Sequence, residues 1–399
     1  MNKKLFEIGK VKNGYAFKSS LYSRIGKYRV ITISNVQQGR FLLEPTNKII
    51  EIPNDIQPHQ ILKKEDILIS LTGNVGRVCK VSVDNCLLNQ RVGLFQVNDN
   101  INLDYVYHSL NNKKFQSKME QEGKGAAQKN LSIDDINNFA IFLPSSYEEQ
   151  EKIAKALTSI EKTILAIEKL IQKKEYMFKG VMQELLTGNR RLPGFSKKWV
   201  SHKLAKCGKF YKGKGISKNQ IGTGNIPCIR YGELYTKYDD VVDKVFSFIS
   251  EDVAKKSFKI YKNDIVFTGS GETAEEIGKA TSLYCDFKNI YASSDTVVLR
   301  LSEEYDSNFM AFYLNSYSIV KQKASLSQGH TVVHLTSKQL KDIDITIPST
   351  KDEQKAIFDC LLNFRKDIKK YKEKLIKLEN IKKGMEEQLL TGKIRLPLN

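Results

Sequence analysis

Two stretches, residues 146–192 and 350–399, carry apolar side chains at alternating steps of four and three. The first series runs Ile153, Leu157, Ile160, Ile164, Ile167, Ile171, then Phe178, Val181 and Leu185. The second runs Ile357, Leu361, Phe364, Ile368, Tyr371, Leu375, Leu378, then Met385 and Leu389. Such spacing over about five heptads is the a/d seam of a coiled coil, not the broader stripe of a helix lying on one domain. Glu148-Glu149-Gln150 and Asp352-Glu353-Gln354 fall in the first turns, where the helix dipole favours them. Gly188 and Gly392 stand where a left-handed residue stops a helix, with Pro193 and Pro397 beyond. The pattern predicts two helices, each roughly 55–60 Å long at 1.5 Å per residue.

Lys174 breaks the first seam where the second has Leu378, and Lys382 breaks the second where the first has Phe178. Helices interrupted at different places can pair with each other while disfavouring self-pairing. The expectation is an antiparallel coiled coil with pseudo-twofold symmetry, in which Ile160 and Phe364 lie close together. Two helices packed separately on their own domains are the alternative.

Before Pro144 and Pro348 the texture is different. Short β-branched or aromatic runs ("KYRVITIS", "RVGLFQV", "DTVVLRL", "IDITIP") are separated by Gly and Asn turns, with helical patterns such as "LDYVYHSLNNKKFQSKM" between them. Each region reads as a globular α/β (α+β) domain. The boundaries expected are 1–145 and 193–349 for the globular domains, and 146–192 and 350–399 for the helices.

The chain repeats itself at about 200 residues. "KLFEIGKVKNGYAF" (4–17) answers to "KLAKCGKFYKGKGI" (203–216), and "KKEDILISLTGNVGRV" (63–78) to "YKNDIVFTGSGETAEEIGKA" (261–280). "LLTGNRRLPGF" (185–195) closes one half and "LLTGKIRLPLN" (389–399) the other. A solenoid would repeat at ~20–50 residues. Here one domain-plus-helix unit is written twice.

Composition narrows the class. The 399 residues include 64 Lys+Arg against 45 Asp+Glu, a formal charge of +19, which favours a polyanionic partner. Six cysteines are scattered without a C-x-x-C, as buried thiols are in a reducing cytosol. No apolar run approaches the ~18–20 residues that span a bilayer, and the N-terminus has no secretory pattern. A cytoplasmic location without a membrane partner is expected.

Several catalytic patterns fail on inspection. "DIVFTGSG" (264–271) has the look of a cofactor-cradling turn, but its repeat partner "DILISLTG" (66–73) lacks F-x-G-x-G. Six residues separate Gly271 from Gly278 where a phosphate loop allows four, and Ala280 replaces the Ser or Thr that holds magnesium. His330 and His334 are four apart, yet Thr331 stands where a metalloprotease has its Glu, and "HTVVHL" reads as loop or strand. No catalytic residue and no metal ligand is assigned, and the glycines are read as sharp turns that bring backbone near an anion.

Two variable domains, each followed by a long helix ending in L-L-T-G-x-x-R-L-P, resemble the specificity (S) subunit of type I restriction-modification enzymes over essentially the whole length. "IFLPSSYEEQEKI" and "ITIPSTKDEQKAI" are similar to the family's junction between recognition domain and helix. "KEDILISLTGNVGRV" and "KNDIVFTGSG" are similar to its G-D-I-L element. "GAAQKNLS" (125–132) fits a G-T-x-Q-x-x-L loop, from which "GHTVVHLT" (329–336) departs with His334 and no Gln. The resemblance implies a chain without catalysis of its own. Its two target-recognition domains would each read half of a split, asymmetric double-stranded DNA target. The paired helices would fix the gap and dock two methyltransferase (modification) subunits, then nuclease/translocase (restriction) subunits. S-adenosylmethionine, ATP and Mg would sit on those partners, with no cofactor in this chain.

DNA contacts are expected from Lys/Arg, Ser/Thr and amides in loops. In the first domain these are Lys18, Ser19, Arg77, Asn89, Gln90, Arg91, Lys124, Gln128 and Lys129. In the second they are Lys212, Lys214, Arg230, Tyr231, Ser270, Thr273, Ser293, Ser294, His330 and Thr331. Arg230 stands out because an arginine ending an apolar strand must reach for a partner. Two other readings compete: a coiled-coil scaffold without DNA readout, and a self-contained DNA methyltransferase.

Overall fold

The computed structural model describes residues 1–123, 129–274, 276–284, 287–328 and 333–397. Two compact units emerge, residues 1–169 with 373–399, and residues 170–372. Each contains one globular domain, the near part of its own long helix and the far part of the other.

In the first unit, strands Gly9–Asn13, Val92–Val97, Ile67–Ser70 and Val78–Lys80 form an antiparallel sheet in that order. A second sheet has the order Asn47–Ile49, Tyr28–Ile31, Cys86–Leu88, Ile61–Leu62, with Cys86–Leu88 running parallel to Tyr28–Ile31. "ILIS" (67–70) is buried throughout because side chains alternate between two cores. Ile67 and Ile69 meet Tyr105, Val106 and Phe115 from the helices Leu103–Leu110 and Lys113–Glu122, whereas Leu68 meets Cys79 and Leu94 on the opposite face.

The second unit repeats this order. Gly208–Lys212, Thr296–Leu301, Asp264–Thr268 and Ala280–Leu283 form its first sheet, extended by the edge strand Val241–Val242. Ser247–Ile249, Ile226–Ile229, Ile290–Ala292 and Phe258–Ile260 form the other. Each domain is zipped shut where its first and last strands pair: Asn2–Lys4 with Ala140–Phe142, and Val200–Lys203 with Asp344–Ile347.

The long helices run Tyr147–Thr187 and Lys351–Leu389. Gly188 and Gly392 follow them with φ of 73° each, the left-handed stop expected of them. Every seam position is buried or half-buried, with Leu157 and Leu361 fully enclosed. Burying each of these large apolar side chains is worth ~1.5–3 kcal/mol. Within the first unit Ile153, Leu157, Met385 and Leu389 share one core with the domain; within the second, Phe178, Val181, Leu185, Ile357 and Leu361 do the same.

Both interruptions of the seam are answered by an acid on the opposite helix. Lys382 Nζ lies 2.6 Å from Glu161, and Lys174 Nζ lies 2.6 Å from Asp367 with its ammonium over the Tyr371 ring. The helices are antiparallel in each unit, since 149 meets 395 and 161 meets 382 in one, and 174 meets 367 and 191 meets 353 in the other. That register corrects the expected pairing of Ile160 with Phe364. Antiparallel helices match the start of one with the end of the other, so Ile160 lies opposite the Lys382 region and Phe364 opposite the Lys174 region.

The acidic first turns do more than complement the dipole. Glu149 and Glu353 are each 1% exposed. Glu353 accepts from Arg191 Nε at 2.5 Å, Arg191 Nη2 at 2.7 Å and Trp199 Nε1 at 3.2 Å; Glu149 accepts twice from Arg395 at 2.5 Å. These arginines belong to the repeated L-T-G-x-x-R-L-P tags, so the tag after one helix grips the start of the other. The adjacent glutamines tie helix to domain. Gln150 accepts from the Asn102 amide and donates to Pro144 O, and Gln354 accepts from the Asp306 amide and donates to Pro348 O.

Candidate nucleic-acid interface

At one end of each domain, loops from distant parts of the chain are stitched together by main-chain hydrogen bonds. In the first domain Tyr15 N donates to Leu88 O, Gln90 N to Tyr15 O, Asn89 N to Ile31 O, Leu71 N to Arg91 O, and Leu131 N to Leu71 O, all at 2.8–3.1 Å. The second repeats the scheme: Lys214 N to Ala292 O, Ser294 N to Gly215 O, Ser293 N to Ile229 O, Gly269 N to Asp295 O, and Leu335 N to Gly269 O, at 2.7–3.3 Å. Asn89, Gln90 and Arg91 thereby occupy the places of Ser293, Ser294 and Asp295, and Thr32 occupies that of Arg230.

Glycine makes the close approaches possible. A Cβ on Gly14 would collide with the main chain of Asn89, and one on Gly213 with Ser293 O and Thr296 Oγ1. Gly269 and Gly271, the pair that opens the cofactor-like stretch, are packed against Asp295 and the Tyr235 hydroxyl. Gly269 and Gly271 thus bring one loop against another. Lys279, in the place of a phosphate-loop lysine, donates from Nζ to Tyr238 O at 2.6 Å, and burial holds its ammonium below the usual lysine range.

The sequence-predicted residues divide by exposure. Lys18, Ser19, Gln90, Arg91, Lys129, Lys212, Lys214, Tyr231, Thr273 and Ser294 are exposed. Among the described residues, no carboxylate lies within ion-pair distance of Lys18, Arg91, Lys212 or Lys214. Lys129 donates to Glu120 O at 2.6 Å. Arg77 and Arg230 are half-buried; Arg77 hydrogen-bonds Gln37, and Arg230 donates its main-chain amide to Glu233 at 3.1 Å while its guanidinium has no carboxylate within ion-pair distance among the described residues. Asn89, Ser270 and Ser293 are buried with their polar atoms engaged. Asn89 Oδ1 accepts from Arg91 N, Ser293 Oγ accepts from Tyr231 N and donates to Ser294 O, and Ser270 Oγ meets His334 Nδ1 at 3.0 Å. Lys124, Gln128, His330 and Thr331 lie outside the described residues.

Side chains absent from the sequence-based set also belong here. Thr32 and Ser34, with hydroxyls 2.8 Å apart, stand at the first domain's counterpart of Arg230. Tyr235 donates its hydroxyl to Ser270 O at 3.0 Å, and its oxygen lies 2.8 Å from Thr268 Oγ1. Aligning "VITIS" with "CIRYG" across the repeat would have marked Thr32. Behind the second cluster, Lys323 is 1% exposed and donates to Gly278 O at 2.6 Å, with burial pulling its pKa down to about 7. No helix among the described residues is long and apolar enough to cross a membrane.

The family model of the type I restriction modification DNA specificity domain matches twice, over residues 1–175 and 196–380. The specificity subunit of the type I restriction enzyme MjaVIII from Methanocaldococcus jannaschii is 25% identical over 364 residues, covering 88% of this chain and 83% of the relative. The EcoKI specificity subunit of Escherichia coli (strain K12) is 25% identical over 176 residues, 44% of this chain and 37% of that one. Among solved structures, a type I restriction-modification S subunit from M. genitalium superposes with a TM-score of 0.63 at 16% identity, covering 100% of this chain and 96% of the other. Both halves of the duplicated fold fall within the same domain model, and the chain belongs to the type I restriction-modification specificity subunits.

Proposed function

We propose that the chain reads a split, asymmetric DNA target, one half-site per domain, and carries that recognition to catalytic partners rather than performing chemistry. The observation that carries this reading is a shared frame with different side chains. The same main-chain scaffold presents Thr32, Gln90 and Arg91 in one domain and Arg230, Ser294 and Asp295 in the other. Identical frames address equivalent stretches of duplex, and different side chains select different bases. Exposed lysines and arginines beside them supply sequence-independent attraction to phosphate.

The antiparallel helices act as the spacer. Half-sites read from one face lie ~34–36 Å apart or a multiple of it, a span within reach of helices ~60 Å long. Two methyltransferase subunits, bringing S-adenosylmethionine, dock on the helices, and nuclease/translocase subunits, bringing ATP and Mg, join them. Exposed apolar side chains suit such docking: Leu165, Ile376 and Ile381 in the first unit, Tyr176 and Met177 in the second.

Mapping methylated adenines in a host carrying the system should yield one split motif with an unspecified middle. Exchanging residues 1–143 for those of another family member should change only one half. A continuous or palindromic motif refutes the reading, as does DNA affinity insensitive to salt between 50 and 200 mM, where several phosphate contacts require a loss of roughly a hundredfold or more.

A further inference from the structure

We propose that His334 is a base-reading residue of the second domain, held in place by Ser270, and that it recognises a hydrogen-bond acceptor on a base edge. The inference rests on the DNA-reading function proposed above and names one side chain that performs it. His334 ends the short strand Val333–His334, which pairs antiparallel with Ser270–Gly271 inside the loop cluster. The residue is exposed, yet its ring is not free to turn. Nδ1 meets the hydroxyl of Ser270, which is 9% exposed, at 3.0 Å. The carbonyl of Ser270 in turn accepts from the Tyr235 hydroxyl, whose oxygen lies 2.8 Å from Thr268 Oγ1, and Thr268 Oγ1 accepts from Lys279 N at 3.0 Å.

An exposed side chain on a surface loop is ordinarily left to solvent. Here a buried serine, a half-buried tyrosine and a fully buried threonine fix the direction of a single imidazole. In the proposed arrangement the Ser270 hydroxyl donates to Nδ1, which places an N–H on Nε2, a nitrogen with no protein partner among the described residues. The outward group is then a hydrogen-bond donor. Purine N7, guanine O6 and thymine O4 are the acceptors that a duplex offers in its major groove. Main-chain pairing places His334 within the stitched cluster: Leu335 N donates to Gly269 O, and Gly269 N to Asp295 O beside Ser294.

Among the described residues the first domain lacks the device. Thr72 and Asn130 hold the equivalent positions, joined by a β-bridge, but the Thr72 hydroxyl is buried without a partner and the imidazole is missing. The contact is therefore specific to one half-site.

Selection of full-length chain on a randomised duplex pool, followed by sequencing, tests the inference. Wild type, His334→Ala, Ser270→Ala and Ser270→Thr are compared. His334→Ala should lose about tenfold of its preference at one base pair of one half-site and leave the other half-site intact. Ser270→Ala should lose about threefold at the same base pair, since the ring keeps its donor but not its orientation, and Ser270→Thr should restore it. A purely structural staple would lower thermal stability without moving the base preference, and that result overturns the proposal. Equal weakening on every sequence overturns it too, because it marks a phosphate contact. A wild-type motif untouched by His334→Ala removes His334 alone. A wild-type pool with no enriched motif removes the DNA-reading function itself, and this inference with it.

Discussion

Arg191→Ala breaks the grip of the first tag on the second helix, and its cost follows from what Glu353 loses. The Glu353 side chain is 1% exposed and accepts three hydrogen bonds, two of them from Arg191. Removing one partner of a buried pair ordinarily costs ~3–5 kcal/mol, because the other charge stays buried. Arg191 itself is 27% exposed, so water entering the vacated space offsets part of this, and ~2–4 kcal/mol is expected. Glu353→Gln removes the charge but keeps an acceptor for Trp199 and should cost only ~1–2 kcal/mol. The double variant should be less destabilised than the two single effects added, with a coupling of at least ~1 kcal/mol. Trp199, the only tryptophan, donates to Glu353 and reports from the site. Its fluorescence through a urea titration of all four proteins completes the cycle. In the other unit Arg395 is 54% exposed, so Arg395→Ala should do less damage than Arg191→Ala. An Arg191→Ala loss below ~0.5 kcal/mol, or additive single effects, would refute the claim that the repeated arginine secures the helix start.

His108 should make the first unit sensitive to mild acid. The ring is 1% exposed, Nε2 is hydrogen-bonded to Thr158 Oγ1 at 2.8 Å, and Glu161 lies 3.9 Å from Nδ1. Lys382, Lys80 and Asp104 add weaker fields, and burial dominates, lowering the pKa from 6.5 to about 4. Between those values only the unfolded chain takes the proton, so ~3 kcal/mol present above pH 6.5 is lost as pH falls toward 4. Urea midpoints at pH 7.5, 6 and 5 should fall more steeply for wild type than for His108→Gln, and equal slopes would contradict the assignment. Gly213→Ala should abolish recognition of one half-site and cost ~1–3 kcal/mol, because its Cβ has no room beside Ser293 and Thr296. Gly180→Ala, with nothing within 4 Å, should instead stabilise the first long helix by ~0.5–1 kcal/mol. Thermal melts and DNA binding of both variants check this contrast.

The heptad periodicity and the 200-residue repeat determined, by themselves, that two long helices alternate with two related domains. Both signals are local: residues three or four apart share a helix face whatever lies beyond, and left-handed glycines stop the chain wherever they fall. Burial of Leu157, Leu361 and the rest of the seam was legible for that reason. Tertiary structure decided the register, because ion pairs such as Glu161 with Lys382 join residues 221 apart, and heptad spacing is satisfied equally by several offsets. It also decided the interface. Exposed Arg91 and buried Asn89 are near neighbours in sequence, yet one faces outward and the other is consumed by the turn itself. Ser270 and His334, 64 residues apart, become partners only once two strands pair. Side chains in loops take their direction from the distant backbone that they meet, and that backbone arrives only with the fold.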